Sequence, residues 1–173
     1  IIEELTINDL DVEALRVARS NYKAKNPRII DEIETWTDIE FLNKAKITIK
    51  GKITKTTVLL LGKSESAINL SPNPAKISWI LKNERGIEED YEHFSPPYLL
   101  TAEMAFHKIR NLNYRYMQDN TLFPTEIKKY DPYVIREVLN NCIAHQDYRL
   151  NGKINIVEFP NKLIFSNLGL FLP

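Results

Sequence analysis

Hydrophobic spacing changes character once along this 173-residue chain, between residues 70 and 76. Before the change, apolar residues recur at helical intervals. After it, short runs of strand length alternate with helical stretches. The intervening Ser71-Pro72-Asn73-Pro74 can extend neither a helix nor a central strand, because proline lacks an amide hydrogen and pushes the preceding residue away from helix. Such a chain is predicted to be α+β, with a small helical region over 1–65 and a mixed region over 75–173.

The first region reads as follows. Thr6 or Asn8 can cap a helix over 9–25, whose Leu10, Ala14, Val17 and Ala18 share one face, and Asn26-Pro27 stops it. A second helical stretch covers 28–35, and Thr37 or Asp38 starts a short helix through Phe41 and Leu42. Residues 46–50 alternate as an exposed strand would, and Gly51 turns the chain. Thr54 caps a helix around Val58-Leu59-Leu60-Leu61, with Gly62 as its stop.

In the second region, 76–82 is predicted as a largely buried strand and 84–92 as an acidic solvated connection or edge. A helix over 98–112 follows Pro96-Pro97. Strands over 114–117 and 125–130 flank a turn at Asp119-Asn120. Asp131-Pro132 is a strong helix start, since aspartate caps and proline fits the first turn, and that helix runs to His145. Strands over 153–159 and 162–166 then form a hairpin across Pro160-Asn161. The aromatic residues Trp79, Tyr91, Phe94, Tyr98, Phe106, Tyr114 and Tyr116 are expected to build the core.

Composition narrows function. Apolar residues make up 43% and charged residues 27%, which excludes a disordered tail. Lysine plus arginine and aspartate plus glutamate each number 23, so no global field draws the chain to nucleic acid or membrane. The single cysteine, Cys142, excludes an internal disulfide framework and reads as a small core residue. No apolar run is long enough to span a bilayer, and no signal peptide is evident, so the expected location is the cytoplasm. The chain opens at Ile1 and stops at Pro173 after an apolar segment, as a piece of a longer protein would. Metal-ligand spacing is missing around His93, His107, His145 and Cys142, and Gly62-Lys63-Ser64 lacks the rest of a phosphate loop.

The densest polar cluster lies on the helix that ends at His145. Glu137, Asn141 and His145 are spaced i, i+4, i+8 and so share one side, beside an apolar face of Ile135, Val138, Leu139, Cys142 and Ile143. A glutamate one turn before an asparagine can orient water while the amide oxygen meets a hard metal ion. The same spacing also suits a surface pair with His145 at the helix end.

The run from Tyr133 through Pro173, with Arg136 to Tyr148 (Arg-Glu-Val-Leu-Asn-Asn-Cys-Ile-Ala-His-Gln-Asp-Tyr) within it, resembles the C-terminal module of Schlafen/AlbA-type transcriptional regulators, also described as RecG-like ATP-dependent DNA helicases. That family carries arginine-glutamate-alanine-leucine-x-asparagine-alanine-x-x-histidine-arginine-aspartate-tyrosine, followed by two strands ending in asparagine-proline-glycine-glycine-leucine-proline. Here the strands end in Asn167-Leu168-Gly169-Leu170-Phe171-Leu172-Pro173. Upstream, Ile53 to Lys63 is similar to the family's leucine-rich segment, so the resemblance extends from about Asp38 to the end.

The resemblance implies a GHKL-type (Bergerat) nucleotide-binding relative: a winged-helix-like region followed by an incomplete GHKL-like α/β sandwich. It implies Glu137 as the catalytic base and Asn141 as the magnesium ligand. His145 and Asp147 would lie by the nucleotide, and Asn167 and Gly169 on the adenine side. ATP and magnesium are the implied cofactors of the full-length protein, with an AlbA-type module before Ile1 and a winged helix after the end. Gln146 in place of arginine, Leu168-Gly169-Leu170 in place of proline-glycine-glycine, and an amide at 167 depart from the pattern. A regulator that binds a nucleotide without hydrolysing it is the expectation. A non-catalytic scaffold or protein-interaction module with a degenerate pocket is the alternative to it, and a homo-oligomer is among the expected partners.

A second candidate is electrostatic. Residues 44–63 hold six lysines and no acid. Lys46, Lys50, Lys52 and Lys55 would surround a wing-like tip at Lys50-Gly51 and could touch DNA phosphates. A lysine-rich edge that discourages strand pairing has the same sequence signature.

Overall fold

A computed structural model of the chain describes residues 1–70, 75–117 and 122–169. The loop expected at 71–74, the Asp119-Asn120 turn, and Leu170 to Pro173 lie outside the described residues. The fold is α+β. Its helices are α1 (Val12–Lys25), α2 (Ile30–Thr35), α3 (Asp38–Lys44), α4 (Lys55–Leu61), α5 (Tyr98–Lys108) and α6 (Pro132–His145). Its strands are β1 (Ile77–Lys82), β2 (Glu88–Phe94), β3 (Asn113–Tyr116), β4 (Thr125–Lys128), β5 (Ile154–Glu158) and β6 (Leu163–Ser166).

Helix starts follow their caps. Asp11 accepts from the Ala14 amide at 2.8 Å at the head of α1, while Thr6 caps a separate 3-10 turn, Ile7–Asp9. Thr37 with Glu40, and Thr54 with Thr57, form reciprocal capping boxes at α3 and α4. The helix predicted over 98–112 stops at Lys108. Ile109 is extended, and Asn111 instead exchanges two hydrogen bonds with the Tyr130 backbone, at 2.8 and 2.9 Å.

The expected strand over 46–50 does not form. Lys46 and Lys50 have φ of 60° and 50° and Gly51 has φ of 76°, so the segment is a tight two-residue turn closed by one bridge between Ile49 and Lys52. Asn43 Oδ1 staples it, accepting from Thr48 Oγ1 and the Gly51 amide at 2.8 Å each.

The main sheet has the order β2-β1-β5-β6. β1 and β5 are parallel, with Trp79 beside Ile156, and the outer pairs are antiparallel. The acidic segment is the edge strand β2, exposed along most of its length. Trp79, Tyr98, Phe41, Leu61, Leu139, Ile154 and Ile156 are among the fully buried side chains, each stabilising by roughly 1.5–3 kcal/mol. One buried cluster runs from Leu10 through Val58 and Tyr98 to Ile156. Trp79, Phe94 and Tyr98 are core residues as predicted, whereas Tyr91, Tyr114 and Tyr116 are exposed. Tyr91 sits on the edge strand β2, and the other two sit on a separate hairpin of β3 and β4.

Gly62 ends α4 for a reason other than left-handed geometry, since its φ is −68°. A Cβ there would lie 2.7 Å from the Val58 carbonyl oxygen. Either side of it, Asp11 N reaches Leu61 O at 2.7 Å and Lys63 N reaches Asp9 O at 2.9 Å.

Candidate functional site

Helix α6 carries the site. Asp131 caps it through the Tyr133 amide at 2.8 Å, with Pro132 in the first turn. Ile135, Leu139 and Cys142 are its buried face. Burial pushes the Cys142 thiol up, as befits a packing residue. Glu137, Asn141 and His145 are exposed on the opposite side, so the polar row stands in solvent. At a rise of about 1.5 Å per residue, Asn141 lies about 6 Å and Glu137 about 12 Å along the axis from His145.

Arg136, the neighbour of the candidate base, ties α6 to α5. Its guanidinium bonds both Glu103 oxygens on α5, at 2.6 and 3.1 Å, and lies 3.7 Å over the Phe106 ring. That pairing holds the Glu103 carboxyl below its ordinary range.

The C-terminal end of α6 is built against the segment after β6. Asp147 N donates to Leu168 O at 2.6 Å, and Leu168 N donates to Gln146 Oε1 at 2.9 Å. Gln146 is buried, so its amide acts as an internal connector. Gly169 passes so close that a Cβ would sit 1.8 Å from the His145 carbonyl oxygen. Tyr148 donates its hydroxyl to Ile143 O at 2.8 Å, and burial raises that phenol. These contacts frame a cavity of about 560 Å³ lined by Ala144, His145, Gln146, Asp147, Arg149, Leu150, Leu168 and Gly169.

Of the residues read from the sequence, His145, Asp147 and Gly169 line this cavity. Asn167 is half-buried beside Gly169, its Nδ2 lying 3.0 Å from where a Gly169 Cβ would sit. Asn141 and Glu137 are outside the lining, about one and two turns up the same helix. Arg149 is the addition. It clamps Asp147 with Nε at 2.9 Å and a terminal nitrogen at 2.7 Å, holding that carboxyl down at about 2. Arg149 also lines a second cavity of about 120 Å³ with Lys55, Leu59 and Tyr148. Its only sequence signal was its place two residues after the aspartate.

Among the described residues, no cluster of three His, Cys, Asp or Glu side chains could hold a metal by itself. Asn141 can offer one amide oxygen, which suits a magnesium ion that brings most of its ligands as phosphate oxygens and water.

The lysine run is less basic in space than in sequence. Glu3 takes Lys52 at 2.9 Å, and Glu32 takes Lys44, whose ammonium also lies 4.3 Å over the Trp36 ring. Lys46, Lys50, Lys52 and Lys55 are all exposed. Lys46 and Lys50 have no carboxylate partner among the described residues. Helix α4 buries Thr57, Val58, Leu59 and Leu61, so little of it is open to a groove.

Residues 1–76 match the family model of a domain of unknown function, DUF8451. No protein of curated function matches the sequence. In fold, the chain is similar to the crystal structure of the DIP2311 protein from Corynebacterium diphtheriae. The TM-score is 0.68 at 18% identity, over 96% of this chain and 32% of that one. The chain thus spans about a third of that protein's length. Among the described residues, no helix is long and apolar enough to cross a membrane.

Proposed function

We propose that this chain is the nucleotide-binding segment of a transcriptional regulator, taking an adenine nucleotide at the C-terminal end of α6 without hydrolysing it. The observation that carries this reading is the close approach of Gly169 to the His145 carbonyl, which frames the cavity at the turn where the GHKL resemblance places adenine. A helix C-terminus carries carbonyls that lack intrahelical donors and the negative end of the dipole. That end suits a base with an exocyclic amine better than it suits phosphate. A ligand extending from there toward the helix N-terminus passes Asn141 first and Glu137 second, the order a magnesium ligand and a water-orienting carboxylate would need. Bound magnesium would supply charge neutralisation on the phosphates. Asn141 would offer it one oxygen, and Asp147, held ionised by Arg149, would face the sugar side. Both upstream residues stand in solvent, so nothing among the described residues excludes bulk water from them. Water at Glu137 is then not held in one place for attack, which favours binding without turnover.

Isothermal titration of the chain with ATP, ADP and AMP, with and without magnesium, tests this. Saturable binding of all three is expected. Asn141→Ala should weaken ATP about tenfold with magnesium, equivalent to about 1.4 kcal/mol, and little without it. Absence of binding by all three nucleotides overturns the reading.

A second reading rests on Lys46 and Lys50, exposed beside the Lys50-Gly51 turn without acidic partners among the described residues. Two such cations would touch duplex DNA without reading sequence. Affinity should fall steeply with salt and vanish in K46E/K50E, and a variant that binds like wild type removes this reading.

A further inference from the structure

The hairpin of β3 and β4 is amphipathic, and its apolar face points to solvent. Register pairs Tyr114 with Ile127 and Tyr116 with Thr125, so these four share one face. Asn113, Arg115, Glu126 and Lys128 share the other, where Arg115 Nε meets Glu126 at 2.5 Å. All eight residues except Thr125 are exposed, and Ile127 and Tyr114 are each about half accessible. The base is pinned by Asn111 to Tyr130 and by Lys129 to the Pro160 carbonyl. Among the described residues no third strand pairs with either edge. A two-stranded ribbon is marginal in water by itself, and open edges recruit further strands.

The geometry points to a second copy of this chain as the occupant, paired edge to edge through β4 about a twofold axis at Ile127. Charge selects both partner and register. In an antiparallel pairing centred on Ile127, each Ile127 faces its equivalent on the apolar side. On the polar side each Glu126 faces the second copy's Lys128, so the pair occurs twice. Centring on Glu126 would oppose two carboxylates, which disfavours that slip. Lys128 has no acid partner within its own chain among the described residues, so this pairing supplies one. The same register carries Leu122, 90% exposed at the hairpin tip, toward the exposed Tyr133 and Val134 at the start of the second copy's α6. The eight-residue ribbon thereby becomes a four-stranded sheet with a continuous apolar strip.

Sedimentation equilibrium on the whole chain tests this. Wild type should be a reversible dimer. Glu126→Lys and Lys128→Glu should each raise the dissociation constant about tenfold or more, because symmetry counts each reversal twice. Mixing the two single variants should restore association, and the double variant E126K/K128E should dimerise alone. Ile127→Thr, which keeps a β-branched strand former, should weaken the dimer with an unchanged far-ultraviolet circular dichroism spectrum. A wild-type monomer, a dimer indifferent to both reversals, or failure of the mixture to associate each overturns the proposal.

Discussion

A Cβ on Gly169 would lie 1.8 Å from the carbonyl oxygen of His145, closer than any side chain can approach. The obstruction is backbone, so neither partner can rotate away. The segment after β6 is thereby seated against the end of α6 only while position 169 is glycine. Gly169→Ala is expected to destabilise by about 2 kcal/mol and to free the Asp147 and Leu168 amides. Urea denaturation and amide hydrogen exchange measure the two effects. Unchanged protection of those amides would show that the close approach is not what holds the segment.

Gly62 makes the matching case in the first half. Its would-be Cβ meets the Val58 carbonyl oxygen at 2.7 Å. Gly62→Ala should cost about 1–3 kcal/mol by forcing the chain away from Val58 at the last turn of α4. Gly86→Ala is the control: no atom lies within 4 Å of its Cβ position, and only its φ of 77° opposes a side chain. Thermal unfolding of both should show the larger loss at 62.

Glu158, the last residue of β5, is a buried carboxylate that joins β1 to the segment after α5. It accepts from Trp79 Nε1 at 3.0 Å and from Arg110 Nε at 3.1 Å. Glu158→Ala strands a buried indole N–H and should cost about 3 kcal/mol, whereas Glu158→Gln keeps an acceptor and should cost about 1. Tryptophan fluorescence during urea titration follows both variants. Equal losses would contradict the hydrogen-bond account.

Asp147 sets a pH dependence. Arg149 lowers its carboxyl from the ordinary 3.8 to about 2. A depressed acid contributes stability above its unfolded value and loses it as pH falls through the folded one. The contribution is therefore complete above about pH 4 and gone by about pH 2. Carboxyl carbon NMR should locate the midpoint near the lower value, and Arg149→Ala should return it toward 3.8.

Much of the fold was legible in the chain because its signals are local. Asp131-Pro132 marks the start of α6, Thr54 that of α4, and apolar runs mark β1, β5 and β6. Misreadings arose where local rules compete with distant partners. Lys46 to Lys50 alternates like a strand, yet Asn43 draws it into a turn by bonding Gly51. Tyr114 and Tyr116 look like core residues by type, but burial depends on what packs over them, and nothing in their own segment specifies that. In the candidate site, His145, Asp147 and Gly169 were visible as a motif. The buried role of Gln146 and the clamp of Arg149 on Asp147 became evident only once α6 met the segment after β6.

By itself, the sequence determined the order of helices and strands and the starts of α3, α4 and α6, since caps, prolines and hydrophobic period act over a few residues. Tertiary structure alone decided where charge is exposed and where space is left. The acid-free stretch at 44–63 is partly neutralised by Glu3, 49 residues from Lys52, and by Glu32 on α2. The cavity at the end of α6 exists because Leu168 and Gly169 return to His145 after a whole hairpin. Coulombic pairing and steric approach depend on distance in space, and only the folded chain supplies that distance.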